Sequence, residues 1–126
     1  MTQKILVVDD QPYMHALMRH NLQRAGFEMI AASNGHEAIE AALRHSPQVI
    51  VMDVMMEGMD GLTALKHLKE DATTQNIPVI MITANAHQMT RDDAEKSGAS
   101  LFLTKPFSPT KLLQEIQKLV SPDGAT

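Results

Sequence analysis

The 126-residue chain predicts an α/β fold, a parallel five-stranded sheet with helices on both faces. Three observations predict it. Five short apolar runs recur, at Ile5–Val8, Met29–Ala32, Val49–Met52, Val79–Ile82 and Leu101–Leu103. Segments with helical spacing follow each of them. The two kinds of segment alternate strictly, and right-handed crossovers then restrict the topology.

The runs around Val7, Val49 and Val79 are almost wholly apolar, as parallel strands buried on both faces require. Met29–Ala32 is the weaker run and suits a sheet edge. Pro12 favours the first turn of a helix whose stripe is Met14, Leu17, Met18, Leu22 and Ala25, with Gly26 as its stop. Ala38, Ile39, Ala42 and Leu43 form the second stripe, closed before Pro47. Leu62, Leu65 and Leu68 form the third, with Asp60 as a cap. The fourth segment, around Met89 to Lys96, is more polar and ends at Gly98. Ser108-Pro109 opens the fifth, whose stripe is Leu112, Leu113, Ile116, Leu119 and Val120. No repeat or internal linker interrupts the pattern.

Composition narrows the function classes. A net charge of −4 offers no general attraction to nucleic acid or anionic lipid, and 3% aromatic residues supply no base-stacking surface. The absence of cysteine excludes disulfides, thiolate catalysis and cysteine-ligated zinc. The six histidines show no metal-ligand spacing, although His87 lies near Thr83. No apolar run approaches the roughly 20 residues needed to span a bilayer, and no export signal precedes Ile5, so a soluble, cytoplasmic protein is expected. Of the ten methionines, Met14, Met18 and Met52 read as core, while Met55, Met56 and Met59 are candidates for partner recognition.

Chemistry gathers where the strands end. Strand one runs into Asp9-Asp10, strand three into Asp53, strand four into Thr83 and strand five into Thr104-Lys105-Pro106. In a doubly wound sheet those carboxyl ends meet beside the switch point in strand order, where ligands bind. Singly, each residue has an ordinary structural reading: Asp9 or Asp10 as a helix cap, Lys105 as a solvated charge, Thr83 as a β-former. Jointly they place three carboxylates, a hydroxyl and an ammonium at one edge. Such carboxylates need a cation, and Mg²⁺ prefers hard oxygen ligands. A carboxylate beside it can act as a nucleophile toward phosphorus.

The segments Ile5-Leu6-Val7-Val8-Asp9-Asp10, Val51-Met52-Asp53 with Met59-Asp60-Gly61, Ile82-Thr83-Ala84 and Thr104-Lys105-Pro106-Phe107 give the chain a family resemblance. From Lys4 to Val120 it resembles the receiver domains of two-component response regulators. The resemblance implies a flavodoxin-like (βα)5 sandwich with strand order 2-1-3-4-5. It divides the chain into a receiver domain, residues 1–121, and a tail or the start of a truncated linker, residues 122–126. It makes Asp53 the phosphoacceptor. Asp10, Asp53 and the Met55 carbonyl would ligate Mg²⁺ (or Mn²⁺ in its place), with Asp9 acting through bound water. Lys105 and Thr83 would bind the phosphoryl group, and Phe102 would turn inward with Thr83 as an aromatic switch. A cis Lys105-Pro106 bond is also implied. Glu57 stands where the family usually has Pro, and with Gly58 beside it the loop gains freedom and a carboxylate. Met55 and Asn85 match positions that tune dephosphorylation.

The function so implied is a phosphorelay switch, not an enzyme acting on a separate substrate. A sensor histidine kinase or phosphotransfer protein would donate to Asp53. A downstream protein would bind the face made by the fourth helical segment, the fifth strand and the fifth helical segment. The domain itself would be a monomer or a phosphorylation-dependent dimer, touching neither nucleic acid nor membrane. The alternatives are a haloacid-dehalogenase-like phosphatase, a flavin-binding module and a receiver that no longer signals by phosphorylation. The first needs an aspartate at position 11, where the chain has Gln11; the second needs a phosphate-cradling loop where it has Asp9-Asp10-Gln11-Pro12. Against the third, Asp9, Asp10, Asp53, Thr83 and Lys105 are all present.

Overall fold

The computed structural model describes residues 3–56, 58–84 and 96–120. Five strands, β1 (Lys4–Val8), β2 (Glu28–Ala32), β3 (Val49–Asp53), β4 (Val79–Thr83) and β5 (Leu101–Thr104), form one sheet. Its order is β2-β1-β3-β4-β5 and every neighbouring pair is parallel, the flavodoxin-like arrangement the family resemblance implies. The described helices are α1 (Pro12–Arg24), α2 (Gly35–His45), α3 (Gly61–Glu70) and α4 (Pro109–Val120). The helix expected around Met89 to Lys96 falls almost entirely outside the described residues, as do Glu57, Asn85, His87 and the tail 121–126.

Period-two alternation sorts the strand side chains into two cores. Ile5, Val7, Val49, Val51, Ile80 and Ile82 point to the face covered by α1 and α4, where Met18, Leu22, Leu112 and Ile116 meet them. Leu6, Val8, Ile50, Met52, Val79 and Met81 point to the other, against Ala38 and Ala42 of α2 and Leu65 and Leu68 of α3. Burial on both faces explains why these strands read as continuous apolar runs. The ladders run one residue past several of those runs, through Asp53, Thr83 and Thr104, because backbone pairing does not require an apolar side chain.

Helix ends follow local chemistry. Asp60 accepts a hydrogen bond from the Thr63 amide at 2.8 Å and caps α3 as expected. Asn34 caps α2 in the same way through Glu37. Gly26, at φ 90°, closes α1: its amide donates to Gln23 and that of Phe27 to Leu22. At the start of α1 neither Asp9 nor Asp10 is the cap. Gln11 holds that place without a side-chain capping bond, and Pro12 has no amide hydrogen to satisfy. Two expected core residues lie outside as well: Leu17 is 38% exposed and Leu43 47%. A helix lying on a flat sheet buries a narrower stripe than its apolar run suggests. Leu17 instead lines an open groove with Tyr13, Pro106 and Phe107.

Candidate functional site

Register brings the predicted residues together. Val8 pairs with Met52, so Asp9 and Asp53 emerge side by side from adjacent strands. Thr83 pairs with Thr104, and the Lys105 amide continues the ladder by donating to the Thr83 carbonyl at 2.8 Å. Between β1 and β3 the connections diverge, α1 leading to β2 and α3 to β4. The acidic ends therefore sit at the switch point in strand order.

Asp9, Asp53 and Thr83 are buried, and Asp10 is half-buried. Each of the three carboxyl groups offers an oxygen within 4.8 Å of the others. Lys105 reaches across from β5: its Nζ stands 2.8 Å from Asp53 Oδ2 and 3.7 Å from Asp9 Oδ2. The Met55 amide donates to Asp53 Oδ1 at 3.1 Å, and the Gln11 amide to Asp9 Oδ1 at 2.9 Å. The Lys105-Pro106 bond is cis, as the resemblance implies.

Burial pushes the Asp9 carboxyl above its usual range, and the charges of Asp53 and Asp10 add to the effect; the Gln11 amide and Lys105 offset only part of it. For Lys105 burial acts the other way, but the hydrogen bond and charge of Asp53, with Asp9, outweigh it and hold the ammonium above its ordinary value. Three clustered carboxylates thus share one ammonium among the described residues. Hard anionic oxygens at this spacing, with excess negative charge between them, suit Mg²⁺.

Thr83 ends β4, one residue beyond Ile82, which pairs with Asp53, and Phe102, half-buried on β5, packs on the α2–α3 side of the sheet. The Met55 side chain is 64% exposed, so only its backbone faces Asp53. Two glycines shape the loop after β3. At Gly61 a Cβ would run into the Asp53 carbonyl oxygen. At Gly35, which the sequence reading passed over, it would strike Met59. A small residue opening a helix was the only local signal, and it pointed to no neighbour.

The family model for the response regulator receiver domain matches residues 5–117. The chain is 39% identical over 123 residues to the chemotaxis protein CheY of Bacillus subtilis, covering 96% of this chain and 100% of that one. It is 35% identical over 120 residues to the alkaline phosphatase synthesis transcriptional regulatory protein PhoP of the same organism, covering 95% of this chain. There it spans about half the relative's length, 49%. Among solved structures it matches the receiver domain of the sensor histidine kinase PA1611 from Pseudomonas aeruginosa PAO1, which holds a magnesium ion in its active site cleft. That match has a TM-score of 0.86 at 27% identity and covers 96% of this chain and 99% of the other.

Proposed function

The chain belongs to the response regulator receiver domain family of two-component signalling, and from that premise we propose that Asp53 accepts a phosphoryl group and thereby switches partner binding. One observation carries the reading: the buried Asp53 carboxylate lies 2.8 Å from Lys105 and within 4.8 Å of two further carboxylates. An aspartate serving only as a loop cap would need neither. Receiver domains are signalling modules that meet histidine kinases and downstream effectors. The haloacid-dehalogenase-like alternative is not favoured, since Gln11 stands where its second aspartate would be.

In the proposed reaction an Asp53 oxygen attacks the phosphorus of a phosphohistidine on the kinase or phosphotransfer protein. The new P–O bond forms as the P–N bond breaks, and the imidazole leaves with the electron pair. The amide of Met55 and the ammonium of Lys105 already orient the two carboxylate oxygens. Asp9, Asp10, Asp53 and the Met55 carbonyl would hold Mg²⁺, which supplies charge neutralisation for the phosphoryl oxygens. Mn²⁺ would serve in its place. As the phosphoryl group arrives, Lys105 passes from the carboxylate to a phosphoryl oxygen, and the Thr83 hydroxyl donates to another. Phe102 follows Thr83 inward, changing the surface beside β5 and α4 that a target protein reads. Water attacking the phosphoryl group would reset the switch.

The receiver unit would comprise residues 1–121, monomeric or dimerising on phosphorylation, and would work in the cytoplasm. No helix among the described residues is long and apolar enough to cross a membrane. The test is incubation with Mg²⁺ and acetyl phosphate or beryllofluoride, followed by intact-mass and NMR measurement of wild type and Asp53→Asn. An adduct and spectral changes confined to wild type are expected. Equal behaviour of the two proteins would refute the switch.

A further inference from the structure

We infer that Gly35 is a positioning residue for the phosphoacceptor loop: lacking a side chain, it lets the loop after β3 seat Met59 on the first turn of α2. The inference rests on the reading of Asp53 as phosphoacceptor. A Cβ at Gly35 would stand 2.8 Å from Met59 Cβ, 2.8 Å from its Cγ and 2.9 Å from its carbonyl oxygen. Two of those atoms are independent of the Met59 rotamer, so no side-chain rotation relieves the clash. Nor does the backbone demand glycine, because Gly35 is not among the residues with positive φ. On local grounds alanine would be the better helix former at this position. The reason for glycine is therefore tertiary.

The contact matters because of what else holds the loop. Its start is fixed by the Val54 amide donating to the Ile82 carbonyl at 2.9 Å. Its end is fixed by the Gly61 amide donating to the Val54 carbonyl, also at 2.9 Å, and by the Asp60 cap. α2 cannot retreat, since Ala38 and Ala42 are buried in the core and Asn34 caps the helix. A displacement at Met59 is then taken up between Met55 and Gly58. That is the stretch whose first amide donates to Asp53 Oδ1. The seat on Gly35 thus sets the Met55 amide, and with it the Asp53 carboxylate.

The test compares Gly35→Ala and Met59→Ala with wild type in the full chain. In metal-free protein, exchange of the Met55 amide should accelerate about tenfold in Gly35→Ala, while the core amide of Ile50 is unchanged. Mg²⁺ affinity, measured by calorimetry, should fall about three- to tenfold, with far-UV circular dichroism preserved. Were Gly35→Ala unable to fold, Met59→Ala, which removes the seated Cγ and the atoms beyond it while keeping the Cβ and carbonyl contacts, should show the same two changes at about threefold. A folded Gly35→Ala, or failing that a Met59→Ala, with both quantities within about twofold of wild type overturns the inference. Amide exchange is read without metal or phosphodonor. A wild type that forms no Asp53-dependent adduct overturns the parent reading separately.

Discussion

Replacing Asp9 with asparagine should make the metal-free protein more stable. Asp9 is 2% exposed, and its carboxylate faces those of Asp10 and Asp53 within 4.8 Å. At an effective dielectric near 20, each such repulsion is about 3.5 kcal/mol at 4.8 Å. The attraction to Lys105 at 3.7 Å is about 4.5 kcal/mol on the same scale. Two repulsions exceed one attraction, and burial of the charge adds to the cost. The Gln11 amide offsets part of it and survives the substitution, because the asparagine oxygen still accepts. A gain of about 1–2 kcal/mol is expected, or about 4–8 °C in Tm for a domain of this size.

The assay is thermal unfolding in EDTA and in excess Mg²⁺. At about 20 times its Kd the ion should stabilise wild type by about 1.8 kcal/mol and Asp9→Asn by less. The pH dependence has a definite sign. The folded pKa of Asp9 lies above its unfolded value, so its contribution is fully present below the ordinary value of 3.8 and is lost as pH rises through the folded value. The advantage of Asp9→Asn over wild type should therefore grow across that window and level off above it. A lower Tm for Asp9→Asn in EDTA at neutral pH, or equal Mg²⁺ stabilisation of both proteins, would refute the reasoning.

Lys105→Ala should cost about 2–3 kcal/mol in urea unfolding without metal, because it strands two buried carboxylates; Mg²⁺ should restore part of the loss. Gly61→Ala should destabilise by about 2 kcal/mol or more, since its Cβ would meet the Asp53 carbonyl oxygen. Gly26→Ala, with nothing within 4 Å of the new Cβ, should cost only the strain of a positive φ, about 1 kcal/mol; equal urea midpoints for the two would contradict the packing argument. Asp60→Ala should lose about 1 kcal/mol of chemical stability with the α3 cap. No change in its urea midpoint would count against the cap.

Much of the site was legible because it lies where strands stop. Asp9, Asp53, Thr83 and Lys105 each follow an apolar run, and a parallel sheet sends all its carboxyl ends to one edge. The helix stripes were legible in spacing but not in width. Leu17 and Leu43 satisfied the period and still lie exposed, since what a helix buries depends on the surface beneath it. A cap role at α1 was the ordinary alternative to a site role for Asp9 or Asp10, and neither takes it, for a related reason. Asp9 is a good capping residue in isolation, but its carboxylate turns to the Gln11 amide and to Lys105.

By itself the sequence determined the element order, the parallel sheet, the two-faced core and the membership of the acidic site. These follow from periodicity and chemistry within a few residues of each position. Tertiary structure alone decided the distances on which the chemistry depends. Lys105 meets Asp53 across 52 residues of chain, and Gly35 meets Met59 across a helix and a strand. The strand ends put Lys105 and Asp53 at one edge but set no distance between them, and the Gly35 contact leaves no trace in its own neighbourhood. Each exists because packing brings separate elements close enough for an ammonium to pair with a carboxylate, or for a missing Cβ to matter.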